Sequence, residues 1–301
     1  MKPAYPPIPP STPPGLNAFR LYRGDSEPDL HFPSDDDVLA ALDPHRIALQ
    51  ELIRPDGPRP AHRELEPFSR AWFEELELKR YAAPGEWLRR SLEFTRHREE
   101  SLLMFGSGAG CDAVQYLRQG THVTFAFGPS DCPALVRRHF EARGLPMQSI
   151  ETLPGQSLPS ESNRFDLAYL NLLAAPQTDL AQAAAEIYRV LKPGGKLFLL
   201  APAYYDADYF ARYAAPWRLF RRTPASNRGE GYTARSLKHL MTQYTDRSIG
   251  KRHLRRTDLP FLLRSAPAGL CQRFFGHVLI HKAFKPISAA FLTDDQQRDA
   301  A

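Results

Sequence analysis

Apolar and polar residues follow one pattern before His97 and another after it. In residues 65–83 and 86–97, apolar and aromatic side chains recur at helical spacing, which predicts two helices. After His97, short apolar runs alternate with stretches of helical periodicity. Strands that alternate with helices are typical of a mostly parallel sheet with helices on both faces. The pattern therefore predicts an α/β domain preceded by two helices.

The same pattern sets approximate boundaries for the elements. Strands are predicted near residues 101–105, 122–127, 147–151, 165–170, 196–201, 247–254 and 277–284. Helices are predicted near residues 111–118, 132–143, 180–191 and 234–244. The α/β domain then spans residues 98–285, with the helices of residues 65–97 packed on it and a tail at residues 286–301.

The first 64 residues have a different composition. Residues 1–15 hold seven prolines and almost no large apolar side chains, so a disordered tail is predicted there. Residues 16–64 form a poorly defined extension in which short pieces, such as residues 35–42, look helical. The aspartates at positions 35–37 would lie at the positive end of that helix's dipole.

Bulk composition narrows the class of protein. The 301 residues are 43% hydrophobic and 24% charged, as in a soluble globular protein. A formal charge of +5 is too modest to favour a nucleic-acid partner. Cys111, Cys132 and Cys271 form no CxxC pair, so neither disulfides nor a zinc site are expected, and no other metal is predicted. No apolar run has the length of a membrane span or a secretory signal, which predicts a cytoplasmic protein.

A glycine-rich turn follows the first predicted strand and precedes a helix. Its residues are Gly106, Ser107, Gly108, Ala109 and Gly110. Glycines in such a turn let the backbone approach a ligand closely, and the open helix end adds unpaired N–H donors. Dinucleotide-binding enzymes prefer a further glycine where Cys111 stands, which disfavours a nicotinamide cofactor.

A second stretch is more specific. Residues 164–169, then 185–200 with the run 189–195, and finally 231–237 resemble the class I S-adenosylmethionine-dependent methyltransferases of the type-11 group. The resemblance implies a Rossmann-like seven-stranded, mostly parallel sheet whose last strand is antiparallel. It also implies S-adenosyl-L-methionine as the cofactor, bound at the carboxyl ends of the first strands. In the run 189–195, Pro193 ends a helix, and Gly194 and Gly195 are predicted to turn with positive φ into the sheet.

The resemblance also implies a set of cofactor-binding residues. They are Gly106, Ser107, Gly108, Ala109, Gly110, Asp112, Phe127, Gly128 and Asn171. Asn171 follows the fourth strand, where the family positions groups beside the transferred methyl, and it is the candidate catalytic residue. A turn-capping asparagine is the alternative interpretation of the same residue.

The chain departs from the family at three acidic positions, which read Met104, Phe127 and Pro154. Each lost carboxylate bond to a hydroxyl weakens binding by roughly 1.5–3 kcal/mol. Nearby polar residues that can replace them are Asp112, Asp131, Glu151 and Gln156, and Phe127 can stack on the adenine. The departure keeps open an alternative, in which the fold persists as a catalytically degenerate binding module.

The acceptor is predicted to be a small molecule or a lipid-like compound. Tyr204, Tyr205 and Trp217 follow the fifth strand and are candidates for its pocket, although aromatic residues there can also simply pack on the sheet. Basic stretches at residues 218–222 and 251–256, with the apolar segment 259–275, permit peripheral contact with an anionic membrane, or form an ordinary solvated surface.

RNA methylation is a third hypothesis. It is disfavoured because residues 171–174 do not carry the tetrapeptide expected of such enzymes after strand four. His277 and His281 are predicted to share one face of the last strand without nearby acidic or cysteine partners, so a metal site is not predicted there.

Overall fold

A seven-stranded sheet lies at the centre of the computed structural model, which describes residues 34–52, 65–128, 131–151, 158–213 and 231–287. Its strands are β1 Ser101–Phe105, β2 His122–Phe127, β3 Gln148–Glu151, β4 Phe165–Asn171, β5 Leu191–Pro202, β6 Thr245–Arg252 and β7 Val278–Phe284. Their order is β3-β2-β1-β4-β5-β7-β6, and only β7 runs antiparallel to its neighbours. The predicted fold class is confirmed.

Ten α-helices precede, connect and follow the strands in the described residues. They are α1 Asp35–Ala40, α2 Pro44–Glu51, α3 Arg70–Arg80, α4 Trp87–Leu92, α5 Cys111–Arg118, α6 Pro133–Arg143, α7 Leu180–Val190, α8 Ala207–Tyr213, α9 Ala234–Leu240 and α10 Ala268–Phe275. None of the helices in these described ranges combines the length and apolar character that crossing a bilayer requires.

The alternation of side chains along β1 divides the core between the two faces of the sheet. Leu103 belongs to a buried cluster with Ile187 of α7 and Leu237 of α9. Its neighbours in β1, among them Leu102, belong to a second cluster with Leu88 of α4 and others from α5 and α6. Since successive residues of a strand point to opposite faces, both faces of the sheet are covered.

A third cluster joins α1, α2 and α3 to the glycine turn. Trp72 and Phe73 are almost completely buried in it, together with Ala109 of the turn and Leu135 of α6. Both α1 and α2 lie within residues 16–64, for which the sequence predicted only short helical pieces. The N-terminal helices therefore cover the glycine turn from outside the sheet.

The strand order determines where a ligand can bind. The chain proceeds outward from β1 through β2 to β3 on one side, and from β4 to β5 on the other. The order therefore reverses between β1 and β4, and in open α/β sheets ligands bind in the crevice at the carboxyl ends of such strands. Residues 106–110 and 171–174 follow β1 and β4, and both lie at this crevice.

Local boundaries differ from the predictions at several places. Strand β5 begins at Leu191, earlier than the predicted 196, because Leu191 already pairs with Phe165 of β4, and a register shift separates this pair from the pair of Leu167 and Lys196. Helix α9 ends at Leu240, short of the predicted 244. Gly194 has φ +77°, as predicted, whereas Gly195 is absent from the positive-φ residues, so the expectation for Gly195 was wrong. Gly195 accepts a hydrogen bond from Lys285 N–H at 2.9 Å, which holds it in extended pairing.

Candidate functional site

The glycine turn lies tightly against the end of β4. Gly106 has φ +64°, a conformation that strains any other residue, and a Cβ on it would overlap the backbone oxygen of Asn171. Gly108 and Gly110 also have positive φ. At Gly106 the missing side chain therefore allows close approach of the turn to β4, while the predicted close approach of the turn to a ligand stays a prediction.

A carboxylate from the N-terminal region lies on this turn. Glu51, the last residue of α2, accepts a hydrogen bond from Ala109 N–H at 2.5 Å. A Cβ on Gly108 would overlap the same Glu51 oxygen. The carbonyl of Ala109 accepts a hydrogen bond from His139 Nδ1 at 2.7 Å. The missing side chain of Gly108 thus leaves a space that a carboxylate fills.

Arg80 of α3 holds two buried carboxylates. Its guanidinium donates to Asp112 at 2.9 and 2.5 Å. The guanidinium also pairs with Glu51, with 3.3 Å between Arg80 Nη1 and Glu51 Oε2. Tyr81 and Tyr169 donate their hydroxyls to Asp112 at 2.7 and 2.6 Å. One cation therefore serves two anions, and Asp112 receives most of the hydrogen bonds.

The pKa values of the two carboxyl groups reflect this unequal share. Burial raises the pKa of Glu51, and the nearby charge of Arg80 only partly offsets the rise. Burial also acts on Asp112, but the charge and hydrogen bonds of Arg80, with those of the two tyrosines, hold its pKa below its ordinary value. Of the two, Glu51 is the anion that its surroundings stabilise less.

A third carboxyl group lies where β2 ends. Asp131 accepts a hydrogen bond from Gly128 N–H at 2.8 Å, and burial raises its pKa to about 6 against the lowering effect of backbone N–H groups of Gly128 and Ser107. Ser107 is 8% exposed, and its Oγ has no hydrogen-bond partner within the described part of the chain. Asp131 and Ser107 therefore bring polar atoms to the crevice beside the turn.

These atoms fit the cofactor that the family uses. A carboxylate-sized space at Gly108, the N–H of Ala109 and a guanidinium suit the amino-acid end of S-adenosylmethionine. Asp131 lies four residues after Phe127, which stands at one of the three positions where the resemblance leads one to expect an acidic residue. Of the replacements that the sequence suggested, Asp112 is engaged by Arg80, while Gln156 and the side chain of Glu151 lie outside the described residues, as does Pro154.

The apolar residues at the family's acidic positions are part of the core. Met104 and Phe127 are 1% and 6% exposed, and both belong to the second buried cluster. The ring of Phe127 stacks on Phe125 with centroids 5.5 Å apart. One face of the Phe127 ring therefore already packs against Phe125. The stacking of Phe127 on an adenine stays a prediction.

Asn171 lies at the carboxyl end of β4, beside Gly106. Its side-chain oxygen accepts a hydrogen bond from Leu173 N–H at 3.1 Å, which is the arrangement of a turn cap. The residue is 5% exposed. Its backbone oxygen borders the glycine turn, and its predicted catalytic role stays a prediction.

The predicted acceptor aromatics lie beyond β5, at the same edge of the sheet. Tyr204 and Tyr205 are 48% and 45% exposed, and both rings contact Tyr209, with centroids 5.5 and 4.9 Å apart. Trp217 and residues 218–222 lie outside the described residues. The two tyrosines therefore form an open aromatic group rather than packing fully on the sheet.

The expectation that His277 lacks acidic neighbours was wrong. Its Nδ1 lies 2.7 Å from Asp206 and its Nε2 lies 3.3 Å from Asp258. Asp208 also comes within the spacing of a metal-ligand group with Asp206 and His277. Because both ring nitrogens of His277 already join carboxylates, the group is a buried hydrogen-bonded link between α8 and the start of β7.

Sequence reasoning missed Glu51 and Arg80. Glu51 lies in an extension with no recognisable motif, and Arg80 is one basic residue at the end of an amphipathic helix. Neither carries a signal in its own neighbourhood. The glycine turn itself is the nearest hint, because its N–H groups need a hydrogen-bond acceptor.

Comparisons with known proteins agree with this geometry. Residues 103–199 match the family model described as "Methyltransferase domain". The demethylmenaquinone methyltransferase of Thermus thermophilus is 29% identical over 127 residues, which make up 41% of this chain and 57% of that protein. The match therefore spans only somewhat more than half the length of this relative.

Solved structures with a similar fold share less sequence. A SAM-dependent methyltransferase from Methanosarcina mazei is 17% identical, with 65% of this chain and 97% of that chain covered and a TM-score of 0.44. The cyclase SpnF is 19% identical, with 85% and 97% covered and a TM-score of 0.47.

Proposed function

The chain belongs to the class I S-adenosylmethionine-dependent methyltransferases, and from this premise we propose that it transfers a methyl group from S-adenosyl-L-methionine to a small-molecule or lipid-like acceptor. The observation that carries the proposal is the carboxylate-binding corner made by Ala109 N–H, the space at Gly108 and the guanidinium of Arg80. The donor's amino-acid end has the carboxylate that this corner accepts.

The chain's own residues bind and orient the reactants. When bound, S-adenosylmethionine supplies an already activated methyl group, so a catalytic base is often unnecessary and alignment supplies much of the rate. We assign the donor's amino-acid end to residues 106–110 and its ribose to Asp131. Asn171 orients the donor beside the acceptor, and Tyr204, Tyr205 and Trp217 contact the acceptor.

Binding of S-adenosylhomocysteine tests the proposal. Isothermal titration at pH 8 is expected to give a dissociation constant at or below the high micromolar range. Below about pH 6 Asp131 takes up its proton, and the affinity should fall. The ionised carboxylate accepts hydrogen bonds from both ribose hydroxyls, whereas the protonated carboxyl group is itself a donor at one oxygen. Asp131→Asn should bind more weakly at pH 8 and show a flatter pH dependence.

Two results would contradict this assignment. Absence of heat at high micromolar ligand, for a folded protein, would favour the catalytically degenerate binding module. A pH dependence that Asp131→Asn leaves intact would remove Asp131 from the ribose site. Strongly salt-dependent binding to RNA would instead favour RNA methylation.

An exposed apolar surface favours a lipid-like acceptor. Phe261 and Leu262 are 81% and 83% exposed, and on α10 Leu270 and Phe274 are each 54% exposed. Arg256, Arg264 and Arg273 are also exposed and lie in the same stretch of the chain. Apolar side chains bordered by arginines suit the surface of an anionic membrane, where the apolar groups enter the interface and the cations remain at the headgroups. Peripheral contact with such a membrane is the partner we assign to this surface.

Vesicle sedimentation tests the membrane contact. The protein should bind vesicles that contain phosphatidylglycerol and not vesicles of phosphatidylcholine alone. Replacing Phe261 and Leu262 together by serine should weaken binding at least about tenfold, since each buried side chain is worth roughly 1.5–3 kcal/mol. Leu78→Ser, at a residue 69% exposed on α3, serves as control. Equal binding by both variants would exclude this surface.

A further inference from the structure

The chain's own carboxylate fills the corner that the proposed function gives to the donor. Glu51 is 6% exposed, accepts from Ala109 N–H and pairs with Arg80. Its oxygen lies where a Cβ of Gly108 would be. A donor carboxylate needs the same N–H, the same guanidinium and the same space. Because the Glu51 oxygen already lies in that space and accepts from Ala109 N–H, the donor's carboxylate can take the same position only when Glu51 leaves it.

We propose that α2 is an internal competitor of the methyl donor, with Glu51 as the group that holds the donor's carboxylate subsite until the donor displaces it. The inference rests on the proposed function, because it takes the donor to be an α-amino carboxylate. The charges in the corner are the same before and after the exchange. In both states Arg80 faces Asp112 and one further carboxylate.

Apart from Glu51, whose main-chain oxygen also accepts a hydrogen bond from Arg80, helix α2 has few buried residues to hold it. The helix has eight residues, a length that is marginal without tertiary contacts, and its buried apolar residues are Ile47 and Ala48. Glu51 occupies the last turn of α2, where the negative end of the helix dipole disfavours a carboxylate.

The contacts of the preceding helix do not strengthen this hold much. Helix α1 is joined to α6 by an ion pair between Asp35 and Arg137, with 2.6 Å between Oδ2 and Nε. Both side chains are nearly half exposed, and an exposed pair of this kind contributes little. Leu39 is the buried residue of α1. Release of α1 and α2 therefore leaves the sheet and its two main clusters intact.

Two substitutions test the competition from different directions. Glu51→Ala removes the competing carboxylate, and Ile47→Ser removes an apolar anchor of α2 without touching the corner. Each should bind S-adenosylhomocysteine about tenfold more tightly than the unchanged protein, because the ligand no longer spends binding free energy on displacing Glu51 and α2. Glu66→Ala, at an exposed residue before α3, removes the same charge and should leave the affinity unchanged.

Hydrogen exchange gives a readout that does not depend on activity. Adding S-adenosylhomocysteine should make the amides of residues 47–51 exchange faster, whereas those of β1 and β4 become slower. Protection of residues 47–51 by the ligand, or weaker binding by Glu51→Ala, would overturn the inference and leave the proposed function standing. If neither variant nor the unchanged protein binds the ligand, the proposed function itself fails.

Discussion

Arg80→Met is expected to destabilise the protein by about 3–5 kcal/mol, because it leaves two buried carboxylates without their cation. Glu51 and Asp112 are 6% and 4% exposed, so water cannot replace the guanidinium. Methionine fills part of the volume and is a good helix former, so the substitution preserves helix α3 and isolates the loss of charge. Urea unfolding at pH 8, followed by circular dichroism, measures the change.

A matched control and a partial rescue sharpen this test. Arg70→Met removes an arginine from the same helix, whose 3.0 Å pair with Glu74 is largely exposed, and should leave the stability almost unchanged. Adding Glu51→Ala to Arg80→Met should restore part of the stability, since it removes one of the two unpaired anions. A loss below about 1 kcal/mol for Arg80→Met would mean that this network is not buried in solution.

The fold followed from local signals. Alternating apolar runs gave β1, β2 and β4 close to their observed bounds, and the glycines after β1 marked the turn. Such signals lie within a few residues of the element that they predict, so a single sequence carries them. The seven-stranded sheet with its antiparallel last strand was expected from the family resemblance, since periodicity alone does not pair strands.

The corner at Gly108 could not be predicted from local sequence signals, because its residues are distant along the chain. Arg80 meets Asp112 across 32 positions and meets Glu51 across 29. Only the packing of α2 and α3 over the turn brings them together, and helical periodicity indicates which face of a helix is buried but not which charges it meets. His277 gives the same lesson, since its acidic partners lie 71 and 19 positions away.

The absent family carboxylates can be explained by the same packing. With Met104 and Phe127 buried among apolar residues, the second cluster extends to the ends of β1 and β2. The polar groups near the turn come instead from Asp131, just after β2, and from Glu51 and Arg80 in the N-terminal helices. In this chain, the polar groups around the turn therefore belong to the elements that follow or cover the strands, and not to the strand ends at Met104 and Phe127.

Gly106→Ala is expected to destabilise the protein by about 2–4 kcal/mol and to abolish binding of S-adenosylhomocysteine. The left-handed backbone alone costs roughly 1–2 kcal/mol for a residue with a Cβ. The new Cβ would also overlap the backbone oxygen of Asn171, so β4 or the turn must move. Because the corner at Ala109 N–H depends on the path of that turn, the ligand loses its site even in the molecules that remain folded. Thermal unfolding and titration calorimetry measure the two effects.

Gly144→Ala separates the two causes. Gly144 ends α6 with φ +63°, nearly the φ of Gly106, but a Cβ there would meet no atom within 4 Å. This variant should lose only about 1–2 kcal/mol for the backbone conformation and should bind the ligand as the unchanged protein does. If Gly106→Ala resembled Gly144→Ala in both measurements, close contact between the glycine turn and β4 would not matter for the site. The proposal that the cofactor site depends on this contact would then be wrong.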